Sequence, residues 1–460
     1  MAFKKSVLKA NSDAELLSYI INVTPELRDN IDLPVQGESI APIGQIIVNN
    51  ERYRNAFINT VNLIGLTVIK RNGWDNPWDF TTRGTLRFGQ QIREIVLDLV
   101  KVYDYNTEFK NKTGFLNTEV PNVFNYIHEV NFQKFYKTTT SDAQLAMAFD
   151  TEGGLFDFIE EAISMLYESL KYDTYIVDKY MLCRRILDGT MTSVKIEDYS
   201  TLTPRQRVSA LKSVSNKFTF RSPNYNPAGI RRATNFDDQI LIVNTEFEAD
   251  FSTDVLATSY FRDEADMRAR LALIDSFSSH DTERLTELLG SAYVPFTEAE
   301  LTALENIPAV LISREWFMDY YYALNADSNM KQTEFYNPQT LENNHYLHVW
   351  RVFSTSPFEN GVVFTSDTPA VTSVTVTPAT ASVSAGQSIK MSANVVTTGF
   401  ANKAVQWTLG ANDEQAEIKS DGTLIINSNH TAGTIKVNAT SIFDNTKKGS
   451  ATITVVAPTE

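Results

Sequence analysis

Two histidines, His345 and His348, form an HxxH pair, a spacing that occurs in metal sites. No glutamate follows the first histidine as in the HExxH motif of zinc enzymes, and no third ligand stands nearby. The single cysteine, Cys183, excludes an internal disulfide and a zinc site built on cysteines. Its neighbours predict a long helix, where a buried structural thiol is expected rather than a reactive one. We therefore predict no metal site and interpret both histidines as ordinary, partly buried side chains.

Acidic residues are the other candidates for chemistry. The run Asn325–Asn329 imitates the start of a calcium-binding EF-hand loop, but Met330 replaces the required glycine and Tyr336 replaces the final glutamate. Two acidic clusters alternate with apolar residues, as the solvent faces of a strand and a helix do: Glu246, Glu248 and Asp250, and Asp263, Glu264 and Asp266. Neither is assigned as a pair of catalytic carboxylates. Because phosphate-binding glycine loops and a Gly-x-Ser-x-Gly motif are also missing, the sequence predicts no catalytic residues and no cofactor.

Aromatic residues after residue 72 point to a contact surface rather than to catalysis. Trp74, Trp78 and Phe80 lie in a short turn-rich stretch that precedes two alternating segments. Three apolar residues share one strand face: Ile95, Leu97 and Leu99. We predict a two-stranded excursion over about 72–115, which needs another surface to lie against because an isolated hairpin is marginally stable in water. The two tryptophans are candidates for that contact; the alternative is that they pack into the chain's own core.

The elements before this excursion are predicted to be helices and an arm. The capping box Ser12-Asp-Ala-Glu15 starts a short helix that ends by Pro25. Residues 31–50 contain several prolines and glycines and are interpreted as an extended arm. A second amphipathic helix is predicted over about 51–66. Its apolar face consists of Phe57, Ile58, Val61 and Ile64.

The elements after the excursion mix helices and strands. The longest helical pattern predicts a spine helix over about 155–188, about 50 Å long at ~1.5 Å per residue. We predict a buried strand over Gln239–Asn244 and a helix over 265–277. Two further strands are predicted over 348–353 and 361–365. The first 366 residues therefore have the pattern of an α+β body.

Charge and composition change at about Val371. From there to the C-terminus the chain has no arginine or tyrosine, and six lysines balance six acidic residues, so the preceding part carries the whole net charge of −15. An acidic body argues against direct nucleic-acid binding, which needs a basic surface. No apolar run approaches the ~20 residues of a membrane span, and no apolar signal segment follows the first lysines. We expect a soluble protein, made in the cytoplasm, without a membrane partner.

The C-terminal segment has the pattern of a β-sandwich, with about seven short strands between turns and with Trp407 placed as a core tryptophan. The motifs are Val374-Thr-Val-Thr-Pro378, Ala385-Gly-Gln387, Val405-Gln-Trp407, Ser420-Asp-Gly-Thr-Leu424, Gly433-Thr-Ile-Lys-Val-Asn-Ala439 and Gly449-Ser-Ala-Thr-Ile-Thr-Val455. Together they resemble the bacterial immunoglobulin-like group 2 (Big-2) domain over 371–457, an all-β Ig-like sandwich. Such domains occur in surface adhesins and on phage particles, so this resemblance alone assigns no function.

Short motifs spread over the body carry a second resemblance. They are Ile64-Gly-Leu-Thr-Val-Ile69, Asn76-Pro77, Pro121-Asn-Val123, His128-Glu129, Phe135-Tyr136, Trp316-Phe-Met318, Asn337-Pro338, His348-Val-Trp350 and Phe358-Glu-Asn-Gly-Val-Val-Phe364. In order and spacing, with the Big-2 module behind them, they look like the major capsid (head) protein of short-tailed phages (podoviruses) of the phi-29 type. The resemblance implies the HK-97 capsid fold. It also implies self-assembly into pentamers and hexamers of an icosahedral shell that encloses double-stranded DNA.

The resemblance divides the body, 1–366, into four parts. They are an N-arm at about 1–50, an extended loop over a neighbouring subunit at about 72–115, a spine helix at about 155–188 and an axial domain at about 195–330. In the extended loop we predict inter-subunit contacts. The residues are Trp74, Trp78, Phe80, Arg83, Arg87 and Arg93. The arginines would pair with acidic faces of neighbours, contributing about 0–1 kcal/mol each if exposed.

The resemblance further implies a scaffolding protein and a portal (connector) as partners, with assembly in the host cytoplasm. The Ig-like module would lie outside the shell, bridging capsomers or touching the host cell wall. The alternative is a bacterial surface adhesin or carbohydrate-binding protein that uses the Ig-like module; the signal peptide, wall anchor and tandem repeats typical of such proteins are missing. A hydrolase decorated with a binding module is a weaker alternative, because no catalytic set is found.

Overall fold

The structure is a computed structural model that describes residues 12–31, 40–68, 74–87, 90–97, 99–100, 102, 123–150, 154–159, 165–196, 202–245, 270–324, 330–410, 415–419 and 421–456. The helices are α1 (Asp13–Val23), α2 (Pro25–Arg28), α3 (Ala41–Asn49), α4 (Glu51–Val68), α5 (Asp142–Asp150), α6 (Gly154–Ile159), α7 (Met165–Leu187), α8 (Pro204–Phe218), α9 (Thr282–Leu289) and α10 (Glu298–Glu305). The strands of the body are β1 (Thr82–Leu86), β2 (Ile92–Leu97), β3 (Val123–His128), β4 (Phe132–Ser141), β5 (Thr192–Lys195), β6 (Gln239–Asn244), β7 (Leu271–Ile274), β8 (Ala309–Ser313), β9 (Asp319–Tyr322), β10 (Met330–Asn337), β11 (Glu342–Val352) and β12 (Gly361–Thr365). The acidic clusters at 246–250 and 263–266 and the run Asn325–Asn329 lie outside the described residues.

The N-terminal helices pack into a layer whose apolar core is shared with β4, β11 and the start of α7. The extended-arm interpretation is wrong for Ala41–Asn49, which form α3, because Pro42 occupies the first turn, where a helix needs no N–H donor. Gly44 allows a close approach, since a Cβ there would lie 2.3 Å from the Phe149 ring. The buried members of this layer include Leu16, Leu17, Ile20, Ile47, Phe57, Ile58, Val61, Leu145 and Phe149.

A mixed sheet has the order β1-β9-β11-β10, with β4 paired to β11. One face of this sheet, with Tyr136, Leu347 and Val349, shares an apolar core with these helices and the start of α7. The predicted spine helix is described as α6 and α7, and the 23 residues of α7 correspond to about 35 Å. Residues 160–164 between them lie outside the described part. The sheet is tied to α7 by a hydrogen bond of 2.7 Å from the Tyr136 hydroxyl to Asp173.

A second sheet, in the order β5-β12-β8-β6-β7, is covered on both faces. On one face its side chains share a core with α7, and on the other with α8. The buried strand predicted over Gln239–Asn244 is confirmed as β6. The helix predicted over 265–277 is wrong for Leu271–Ile274, which form β7 parallel to β6. The sheet also takes in β12, which lies beyond the predicted axial range of about 195–330.

Strand pairing differs from the predicted excursion over about 72–115. β1 pairs in parallel with β9, with Gly84 opposite Tyr320, and so belongs to the first sheet. β2 pairs antiparallel with β3, from Ile92 opposite His128 to Leu97 opposite Val123. The two-stranded ribbon is therefore made of 92–97 and 123–128, and residues 103–122 between them lie outside the described part.

The C-terminal module is an all-β sandwich, as expected. Its strands are β13 (Ala370–Thr377), β14 (Thr380–Ser384), β15 (Ser388–Lys390), β16 (Ser392–Thr398), β17 (Val405–Leu409), β18 (Ala416–Ile418), β19 (Thr423–Ile426), β20 (Gly433–Ser441) and β21 (Lys448–Val456). Alternating residues of these strands form one apolar core. Trp407 is only half-buried, but it packs against that core.

Candidate subunit-contact surface

The six residues predicted to contact a neighbouring subunit divide into buried and exposed groups. Trp78 is fully buried, and its Nε1 donates a hydrogen bond of 2.9 Å to the Leu273 carbonyl. Its ring packs against Tyr175, with the centroids 5.5 Å apart, and half-buried Phe80 lies beside it. Trp78 therefore packs into the chain's own core, which was the alternative to a subunit contact. Its side chain has no exposed surface that a neighbouring subunit could touch.

The first exposed member is Trp74, which lies on the surface of α7. Its side chain is 42% exposed, and its ring meets Tyr175 edge-on at 5.7 Å. Its backbone N–H donates to the Glu168 carboxylate at 3.1 Å, and Lys171 Nζ donates to its carbonyl at 3.4 Å. The stretch before β1 is thus fixed to the helix while part of the indole stays in water.

The three arginines lie in different surroundings. Arg83 on β1 is half-buried and pairs with Glu315 of its own chain at 3.1 Å. Arg87 and Arg93 are exposed, and the Arg93 Nε donates to the Asn125 amide oxygen across the ribbon at 2.7 Å. Subunit contacts by Trp74, Arg87 and Arg93 stay a prediction, because each of these side chains keeps exposed surface.

The ribbon of β2 and β3 presents an apolar face to solvent. Ile95 and Leu97, predicted to share one strand face, both do so and are exposed, Leu97 by 60%. No local pattern in the sequence reveals the matching residues of β3, because the partner of β2 comes from beyond residue 122. The exposed apolar residues of the ribbon and its continuation are Ile95, Leu97, Leu99, Val100, Val102, Val123 and Ile127. An apolar face of this kind indicates an interaction site.

The base of the ribbon is fixed to the body by its opposite face. His128 is buried, with Nδ1 2.7 Å from the Ser354 hydroxyl and Nε2 3.1 Å from the Glu94 carboxylate. Next to it, the Asn131 side chain binds both the N–H and the carbonyl of Phe353, at 2.8 and 2.7 Å. The face of the ribbon that carries Glu94 and His128 is thereby held against the body, and the face with Ile95 and Leu97 is left outward.

A buried charged cluster positions β1 against α7 and the first sheet. Arg351 on β11 contacts both carboxylate oxygens of Asp319, and its Nη2 donates to the Thr82 hydroxyl at 3.0 Å. Asp178 on α7 accepts from the Thr81 hydroxyl at 2.6 Å. Burial raises the pKa of both carboxyl groups above the usual range, against the lowering effect of the nearby guanidinium. The Arg351 guanidinium is therefore the cation near two buried carboxyl groups, those of Asp319 and Asp178. The chain at the start of β1 is held in place by hydrogen bonds to this cluster.

A groove between β4, α7 and α9 is a second surface suited to contacts, with a volume of about 390 Å³. Two apolar side chains lining it remain in water: Phe135 is 59% exposed and Met165 is 58% exposed. Lys134, Lys137 and Arg284 add positive charge, and Arg284 is held by Asp173 at 2.8 and 2.9 Å. The groove thus combines an apolar surface with a charged rim.

The candidates for chemistry do not converge. His345 and His348 bond separately to Thr140 and Thr333, at 2.9 and 2.8 Å. Cys183 is buried, and burial raises the pKa of its thiol to about 12, as expected of a structural thiol. Among the residues that the structure describes, no group of three or more His, Cys, Asp and Glu residues could hold a metal ion. Within the same residues, no helix is both long and apolar enough to cross a membrane.

Comparisons with known proteins assign the family. The family model of the Phi29-like phage major capsid protein matches residues 22–365, and the model of the bacterial Ig-like domain (group 2) matches residues 370–448. The chain is 30% identical to the major capsid protein of Bacillus phage B103 over 93% of this chain and 90% of that protein. It is 30% identical to the major capsid protein of Bacillus phage PZA over 85% of this chain and 82% of that protein.

Among solved structures, the chain is similar to one in the capsid structure of Staphylococcus phage Andhra, with a TM-score of 0.48, 13% identity and coverage of 65% of this chain and 86% of that chain. The two family models cover the α+β body and the C-terminal Ig-like sandwich separately. The chain therefore belongs to the Phi29-like phage major capsid protein family and is a capsid-forming structural protein of a phage virion, not an enzyme.

Proposed function

We propose that this capsid protein forms pentamers and hexamers in which the apolar face of the β2–β3 ribbon of one copy lies in the groove between β4, α7 and α9 of a neighbouring copy. Support comes from the two surfaces themselves, since Leu97 and Ile95 on the ribbon and Phe135 and Met165 at the groove all stay exposed in the single chain. Covering both at once removes apolar surface from water on each partner. The partner is a second copy, so every subunit both gives and receives the contact.

Charge gives this contact a register. Arg93 lies on the same exposed ribbon face as Ile95, two residues away. Glu287, the acidic group that lines the groove, has a carboxylate that is 63% exposed and pairs with Arg284 at 3.1 Å, so Arg93 would share it. An Arg93–Glu287 pair across the interface is worth about 0–1 kcal/mol at a solvated site, so it directs alignment rather than supplying most of the affinity.

Many weak contacts of this kind add up in a closed shell. Each interface is modest, but symmetry repeats it around every ring and across the shell. The body carries the whole net charge of −15, which opposes packing of copies at low salt and is screened at higher salt. An acidic protein that does not grip DNA also leaves the enclosed genome free to move during packaging.

The remaining partners are inferred from the family resemblance alone, and no contact among the described residues supports them. They are a scaffolding protein and a portal, with assembly in the host cytoplasm and enclosure of double-stranded DNA. The Ig-like module would bridge neighbouring capsomers or reach the host cell wall. The adhesin alternative gains no support, because the capsid family model covers the body.

A charge-reversal cycle tests the contact. We expect Arg93→Glu and Glu287→Arg each to raise the concentration needed for shell assembly, and the double variant to restore it, with assembly measured by sedimentation and electron microscopy. Arg221→Glu, which reverses an exposed cation outside the ribbon and the groove, is the matched control. If the double variant assembles no better than either single variant, the proposed pairing is wrong.

A further inference from the structure

The C-terminal end of α7 leaves part of its hydrogen bonding to another element. Backbone N–H groups of the following turn occupy three carbonyl oxygens of the last helical turn, those of Arg184, Arg185 and Ile186. The chain then leaves the helix through Gly189, whose φ of +66° favours glycine. The carbonyls of Leu187 and Gly189 lie at the negative end of the helix dipole and need donors, preferably with positive charge.

The Ig-like module supplies those donors. The backbone N–H of Lys403 donates to the Gly189 carbonyl at 2.8 Å, and its Nζ donates to the Leu187 carbonyl at 3.4 Å. Its aliphatic stem lies directly over the turn, because a Cβ added at Gly189 would meet the Lys403 side chain at 2.8 Å. One lysine of the module therefore binds the helix end through its backbone, its stem and its charge.

Neighbouring residues of the same loop reinforce this attachment. Asn402 is almost fully buried, and its Nδ2 donates to the Thr192 hydroxyl at 3.3 Å. Phe400 packs against the apolar core of the body although its φ of +57° is unfavourable for a residue with a side chain. The strain is retained only where the packing over-determines the conformation. We call this loop, residues 399–404, the docking loop.

Two further features restrict the movement of the Ig-like module relative to the body. Only residues 366–369 connect β12 to β13, and Lys195 Nζ of the body donates to the Thr368 hydroxyl at 2.9 Å. On a separate turn of the module, the Ile442 side chain lies 3.0 Å from the position of a Cβ at Gly229 of the body. The module is thus attached through a short covalent link, through the docking loop and through a third contact.

We infer that the Ig-like module is a structural part of the capsid subunit whose docking loop completes the C-terminal cap of the spine helix, so that its orientation is the same in every copy. The interaction surface is the end of α7, and its partner is the module of the same chain. The module therefore stabilises the body and is not a freely moving binding arm. This inference concerns the single subunit and does not depend on the ribbon contact.

Hydrogen exchange of unassembled full-length subunits, followed by mass spectrometry, tests it. Because the lysine donates to a helix carbonyl and shields the turn, Lys403→Ala should accelerate exchange of the amides at the end of α7 roughly tenfold while β20 and β21 keep their protection. Lys403→Arg, which keeps the charge and the stem, should exchange like the parent chain. Lys403→Met should fall between them because it keeps only the stem.

Lys390→Ala is the matched control, since Lys390 lies on the same module and pairs with Asp421 away from the body. Unchanged exchange at the end of α7 in Lys403→Ala, or an equal change in Lys390→Ala, would overturn the inference. An independent measurement is the density of the module in reconstructions of the assembled shell. Density as strong as that of the body supports a fixed module, and smeared density for the module alone contradicts it.

Discussion

Replacing Leu97 by serine removes the most exposed apolar side chain of β2 without touching the core. Complete burial of a leucine stabilises by about 1.5–3 kcal/mol, and 60% of this side chain is still in water, so covering it in the assembly contributes about 1–2 kcal/mol per contact. This corresponds to a change of about 5- to 30-fold in the association constant of one contact. Because every copy repeats the contact, the threshold concentration for shell formation should rise by at least that factor.

Sedimentation across a concentration series, with electron microscopy of the pelleted fraction, measures this threshold. Thermal unfolding of the unassembled subunit should be unchanged, because Leu97 packs against nothing in its own core. Val396→Ser, which shortens a side chain that is 48% exposed on β16 of the Ig-like module, is the control and should leave assembly unaffected. Assembly of Leu97→Ser at the parent concentration would refute the role given to the ribbon.

Three further predictions concern the body. Arg351→Met leaves buried Asp319 and Asp178 without their cation, so it should lower the free energy of unfolding in urea by about 3–5 kcal/mol. Trp78→Ala should cost about 3–5 kcal/mol in the same assay because the ring is fully buried, whereas Trp74→Ala should cost less than about 1 kcal/mol. Burial lowers the pKa of His345 to about 4, so the folded state favours the neutral ring. As pH falls from about 6.5 towards 4, protonation of the unfolded state should therefore lower the free energy of unfolding by up to about 3 kcal/mol. His345→Gln should flatten that pH dependence in urea titrations at several pH values.

Local signals in the sequence predicted the elements that depend on neighbours in the chain. Ser12 caps α1 as predicted, with its side chain accepting from the Glu15 N–H at 3.3 Å. The apolar faces of α4 and the buried strand β6 follow from periodicity, and Phe57 and Val61 are buried as expected; the side chain of Ile64 lies outside the described part. The alternation in β2 also identified the ribbon face correctly.

Strand partners and long-range contacts could not be predicted in this way. β1 pairs with β9, and β2 pairs with β3 across a long connection, because pairing depends on partners far along the chain. The indole N–H of Trp78 finds its acceptor in Leu273, and no local pattern distinguishes it from Trp74, which stays partly exposed. Pro42 and Gly44 suggested an arm, yet one starts a helix and the other allows close packing on Phe149.

The groove beside β4 and the docking loop were also missed by the sequence analysis. The groove is lined by residues from three elements, among them Lys134, Met165 and Arg284, which only the fold brings together. Lys403 lies in a short loop between two strands, and only the packed structure places its Nζ at the Leu187 carbonyl. The family resemblance supplied the capsid assignment, whereas the contact surfaces required the three-dimensional arrangement.

Electron cryo-microscopy of particles formed by the full-length chain offers the most direct test. We expect closed shells in which Ile95 and Leu97 of each copy are covered by the side chains around Phe135 and Met165 of the adjacent copy. Particles in which that strip of the ribbon faces bulk water, or a chain that remains monomeric at every salt concentration tried, would contradict it.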